Sequence, residues 1–144
     1  MKAVVTLLCL AMAFAMTSAS AADTKPFTDG PVTEVSYVKT KPGKFLAYMQ
    51  YLDTTYKQIM EANKKAGLIT DYAVYAATPR TPQDPDVILT VVYANMAALD
   101  KSDEGDAVAE KIAGSMETQS KAAADRESLR EVLGGELIRQ MILK

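Results

Sequence analysis

The chain of 144 residues has no histidine, no tryptophan and a single cysteine, Cys9. Without imidazole it can build no Ser-His-Asp or Cys-His relay and offers no His ligand to zinc, copper or haem. Cys9 stands inside an N-terminal apolar run, so a chain that loses this run also loses its only thiolate and cannot form a disulfide. Its stability must then come from packing. A clear excess of either charge is missing too: 16 basic side chains face 18 acidic ones, a net charge of −2. That balance argues against nucleic acid or an anionic membrane as partner, since both need a clustered positive surface. No cofactor and no metal are expected. No Asn-x-Ser/Thr acceptor, internal repeat or low-complexity segment occurs, and no glycine-rich loop follows a strand.

What is present begins with a leader. Lys2 gives a positive start, Ala3 opens an apolar run that lasts to Met16, and Ala19-Ser20-Ala21 supplies small residues for cleavage. Residues 1–21 therefore read as a secretory signal peptide. A transmembrane anchor would need about 20 apolar residues, more than this run provides. A lipid anchor on Cys9 is disfavoured by Leu8, which stands where such signals want a small residue. Cleavage after Ala21 removes Lys2 and leaves one domain's length of chain, one unit more acidic. The expected location is the periplasm or the secreted medium, with no membrane contact in the mature form.

The mature chain is expected to open with a mobile leader over residues 22–31 and to fold as a single domain over 32–144. Residues 32–40 and 68–78 are β-branched and aromatic enough for strands. Residues 87–93 form the most continuous β-branched run and read as a central strand. Between the first two lies residues 41–66, with Phe45, Met49, Leu52, Tyr56 and Ile59 on one side of a helix. Gly67 suits its C-terminal end. Residues 79–86 hold three prolines and read as a stiff loop. Residues 95–99 suggest one helical turn, 100–106 a polar loop, 106–124 an alanine-rich helix, 127–133 a short helix stopped at the turn Gly134-Gly135, and 136–143 a last strand.

The order strand, helix, strand, strand, helix, strand is a ferredoxin-like βαββαβ α+β arrangement, a four-stranded antiparallel sheet with helices on one face. Val, Ile and Tyr occur on both faces of several strands, which predicts that a second copy covers the open face in a homodimer.

That element order, the lead-in Lys41-Pro42-Gly43-Lys44-Phe45, and Tyr93-Ala94-Asn95-Met96-Ala97-Ala98-Leu99 after the third strand resemble the dimeric α/β-barrel superfamily. The superfamily includes antibiotic-biosynthesis monooxygenase-like and stress-responsive barrel proteins. Over its whole length the sequence also resembles exported proteins of Gram-negative bacteria, a likeness that brings no activity with it. The superfamily resemblance implies sheets paired face to face, and it admits cofactor-independent monooxygenase or isomerase chemistry on an aromatic or polyketide-like compound. Its haem-degrading members generally hold iron through histidine, which this chain does not have.

Three motifs bear on chemistry. The stretch from Asp100 to Asp106 has the acid density of a calcium loop, but Lys111 stands where the loop's closing glutamate belongs. Ser36 and Lys39 match Ser-x-x-Lys, yet in a strand positions three apart point to opposite faces. All seven tyrosines lie between the first and third strands. Their plain role is a core and interface; their sharper role is an apolar pocket with a few convergent polar groups. Tyr37, Tyr48, Tyr56 and Tyr75, with Asn63, Gln119 and Arg126 from the helices, are the candidate ligand-binding residues. Three functions stay open: an exported binder of a small apolar or aromatic molecule, the monooxygenase or isomerase, and a structural or protein-interaction domain.

Overall fold

In the computed structural model, which describes residues 25–144, strand β1 runs over Phe27–Thr40 and pairs along its length with β4, Arg130–Leu143. The expected leader thus gives up residues 27–31 to β1. Gly30 and Pro31 sit at a register shift between Asp29 and Val32, where a bulge needs no N–H from Pro31. The expected signal peptide and cleavage site lie outside the described residues. β3, Val87–Tyr93, pairs antiparallel with both β1 and β2, Asp71–Ala76, in the order β2-β3-β1-β4. This is the four-stranded antiparallel sheet of a ferredoxin-like α+β fold, with β3 central as its unbroken β-branched run implies.

The long helix is one continuous rod in three pieces: α1 over Phe45–Tyr51, a π-helical turn over Leu52–Tyr56, and α2 over Lys57–Lys65. Gly67 follows with a positive φ. The buried positions are Tyr48, Leu52 and Asn63, whereas Phe45 is 38% exposed. The expected stripe holds at Leu52, in the core, and at Met49 and Tyr56, which pack against it, and fails at Phe45, where the rod only begins.

Tyr48 and Leu52 pack on Val38 of β1 and Val87 of β3, with Met49, Tyr51, Tyr56, Val74, Leu89 and Leu129 around them. Each fully buried apolar side chain contributes roughly 1.5–3 kcal/mol. The register places Val32, Glu34, Ser36 and Val38 of β1 and Val87, Leu89, Val91 and Tyr93 of β3 on this helix-covered face. Ser36 and Lys39 accordingly point to opposite faces. At the far end of the sheet Asp86 accepts hydrogen bonds from the backbone N–H and hydroxyl of Thr40, pinning β1 to the start of β3. The proline loop is held by Asp84, which accepts from the backbone of Arg80 and Thr81 at 2.9 Å each. Those bonds keep its carboxyl below the usual range.

The second helical layer differs from expectation. Residues 100–106 are wound into a 3-10 helix, Met96–Lys101, and the first turn of α3, Ser102–Ala113. Asn95 caps the 3-10 helix by accepting from the Ala98 N–H at 3.1 Å. The alanine-rich stretch is two helices, since Gly114 adopts φ 87° and α4 restarts over Met116–Arg126 with Ser115 as its cap. No helix covers 127–133, because β4 already begins at Arg130. Gly134-Gly135 is not a turn ahead of the strand. It lies inside β4, beside a register shift opposite Tyr37 and Val38.

Candidate functional site

A cavity of about 400 Å³ opens between α2, α3 and the end of β3. Its walls are mostly apolar, with Ile59, Met60, Leu68, Ile69 and Leu99 prominent. This size and make-up are those of a small-molecule pocket. Asn63, only 8% exposed, lies in the wall, and its side-chain Oδ1 is buried without a hydrogen-bond partner. The oxygen faces Gly105 of α3, where a methyl group would stand 3.9 Å away. A methyl group there would be in ordinary van der Waals contact with the oxygen, so α3 lies close against the amide.

Two further polar groups border the cavity from the sheet. Tyr93 donates its hydroxyl to Glu34 Oε2 at 3.1 Å. Burial, the charge of Glu34 and this hydrogen bond together push the Tyr93 phenol up to about 12. Tyr56 packs against the core, edge-on to Tyr72, and its hydroxyl is buried with no partner. Burial first, and then the neighbouring phenols and Glu34, raise its pKa. Among the described residues no three His, Cys, Asp or Glu side chains gather as a metal site.

The seven candidate residues do not form one site. Asn63 lines the cavity. Tyr48 belongs to the core, and Tyr56 packs against it outside the cavity lining. Gln119 and Arg126 border a second cleft between the π-helical turn and α4. Tyr37 and Tyr75 lie on the sheet face that no helix covers, Tyr37 donating to Glu136 Oε1 at 2.5 Å and Tyr75 54% exposed. Sequence reasoning missed Glu34, Tyr93 and Gly105. Strict alternation would have found Glu34, which shares its strand face with Val32 and Val38.

No known family's sequence pattern matches the chain, and no curated relative does. Solved structures do resemble it. HapK from Hahella chejuensis is 12% identical with a TM-score of 0.50, covering 76% of this chain and 91% of its own. Protein SO0527 from Shewanella oneidensis is 17% identical with a TM-score of 0.49, covering 81% and 96%. The likeness to HapK shows the fold. Among the described residues no helix is long and apolar enough to cross a membrane.

Proposed function

We propose that the protein is an exported binding domain whose cavity between α2 and α3 takes up a small apolar or aromatic molecule bearing one hydrogen-bonding group. The buried, unpartnered amide oxygen of Asn63 carries this reading. Leaving such a group unpaired costs about 1–3 kcal/mol, a cost that a ligand donor removes. Export rests on the leader of residues 1–21, and amino-terminal sequencing of the secreted form should begin at Ala22. Assembly as a homodimer of the dimeric α/β-barrel type is part of the same reading, because it would cover the sheet face opposite the helices.

Phenol and toluene differ by a hydroxyl and serve as probes. In an NMR titration phenol should move the backbone resonances of Asn63, Leu68 and Gly105 at lower concentration than toluene does. Asn63→Leu should reverse the preference. Equal response to both probes in the unmutated protein would remove the role given to the amide.

A second reading, proton abstraction by a cofactor-independent isomerase or monooxygenase, is favoured by Glu34. This carboxylate borders the cavity and could act as base, oriented by the Tyr93 hydroxyl, with the Asn63 amide N–H stabilising an enolate. It predicts that Glu34→Gln abolishes turnover of a bound carbonyl compound while sparing its affinity.

A further inference from the structure

The second cleft, of about 420 Å³, is walled by Tyr51, Thr55, Ile59, Ile112, Gln119 and Arg126, with Asp125 at its border. It shares only Ile59 with the cavity at Asn63. The cation in its wall is Arg126, and Arg130 lies nearby, outside the lining. The guanidinium of Arg126 lies 4.8 Å from the centre of the Tyr51 ring, and that of Arg130 lies 5.8 Å from the Tyr48 ring. The two rings stack on each other at 6.0 Å. Among the described residues neither arginine has an ion pair, and the Nε of each is buried without a hydrogen-bond partner.

The arginines are held there by backbone, which argues against a loose surface arrangement. Arg126 ends α4 and Arg130 opens β4. The link between them is tied by Leu129 N–H to Arg126 O at 2.9 Å, and to the residue that follows β1 by Lys41 N–H to Leu129 O at 2.9 Å. A guanidinium stacked on a ring keeps its N–H edge free for a planar anion. The positive charges beside Tyr48 also oppose the effect of burial, which still holds that phenol above its ordinary value.

We infer that this cleft binds a small organic carboxylate, its acid group on the Arg126 edge and its apolar body between Tyr51, Ile59 and Ile112. A monoanion suits the site better than phosphate or a polyanion, because about half of the wall is apolar and the Asp125 carboxylate at the border repels added negative charge. This site is independent of the cavity at Asn63.

Benzoate and its neutral counterpart benzamide test it on the purified protein. Benzoate should shift the Arg126 Nε–H resonance and the backbone of Tyr51, Ile112 and Gln119 saturably, leaving Asn63 and Leu68 unmoved. Benzamide should bind at least about tenfold more weakly, and Arg126→Gln should weaken benzoate by a similar factor, the loss of one charged hydrogen-bond pair. Arg126→Lys should retain part of the affinity. Benzamide binding as tightly as benzoate, benzoate shifts that survive Arg126→Gln, or no saturable shift in the unmutated protein would each overturn the site. The phenol titration at Asn63 reads out separately, so one site can fail while the other stands.

Discussion

Asn63 concentrates the conflict between folding and binding at a single side chain. If its unpaired amide serves a ligand, the ligand-free protein is less stable than it need be, and Asn63→Leu, similar in volume and apolar, should stabilise it by about 1–3 kcal/mol in urea unfolding. A destabilised variant would mean that the amide has a structural partner, and the binding reading would fail with it. The tyrosines set a second expectation. Tyr93 and Tyr72 are pushed up to about 12, Tyr93 chiefly by burial and Tyr72 chiefly by the hydrogen bond it donates to Glu61. The folded protein thus holds these phenolic protons more tightly than the unfolded chain, where a tyrosine titrates near 10.0. Below that pH both states are protonated and nothing is lost. Above it the unfolded chain sheds protons first, so stability should fall as pH rises from about 10 to about 12. Thermal unfolding across that range, with tyrosinate absorbance recorded alongside, checks the direction. Stability that stayed level to pH 12 would contradict it.

At the scale of elements, legibility in the sequence followed the strength of each local signal. β3 matched expectation because an unbroken β-branched run between a proline loop and a capping Asn admits few alternatives. The long helix was legible as a helix and in most of its face, since Met49, Leu52 and Tyr56 lie in or against the core while Phe45 stays exposed. At about 100° per residue, the fifteen steps from Tyr48 to Asn63 would leave the two about 60° out of line, and the wider π-helical turn takes up part of that difference. No propensity reveals such a turn. The break between α3 and α4 was legible only as a weak point: Gly114 marked it, and Ser115 restarts the helix by accepting from the Thr118 N–H at 3.3 Å. β4 was misread because Gly134-Gly135 looks like a turn. Gly135 is there for a different reason, since a Cβ would meet the Val35 carbonyl oxygen at 2.5 Å. The strands approach too closely at the bulge for any side chain. Gly135→Ala should therefore part β1 from β4 locally and cost roughly 1–3 kcal/mol, seen as a lower urea midpoint and faster amide exchange at Val35 and Ser36. A neutral outcome would show that the bulge relaxes freely. The candidate site was less legible than the fold, because Glu34 and Tyr93 meet Asn63 only through strand pairing and helix docking, neither of which is local.

For the whole molecule, the decisive feature is a sheet with helices on one side only. Val92 and Ile88 of β3, Tyr75 of β2 and Ile138 of β4 all face away from the helices. Tyr75, Ile138 and Ile142 are 54%, 48% and 47% exposed. A lone chain would hold this largely apolar surface in water, where patches of such character mark interfaces. A second copy of the same face is the simplest cover, because a twofold contact needs a surface complementary only to itself. The register also fixes which substitutions test it. Val92→Asp and Ile138→Asp would bury unpaired carboxylates between two sheets and should weaken self-association by roughly two orders of magnitude or more. Leu137→Asp, a neighbour in β4 on the opposite face and 47% exposed, should leave the assembly intact. Analytical ultracentrifugation separates these cases, with circular dichroism confirming that each variant stays folded. An unmutated protein that sedimented as a monomer at micromolar concentration would remove the dimer. A dimer split by Leu137→Asp but not by Val92→Asp would place the contact on the other side of the sheet and so rule out the paired-sheet barrel.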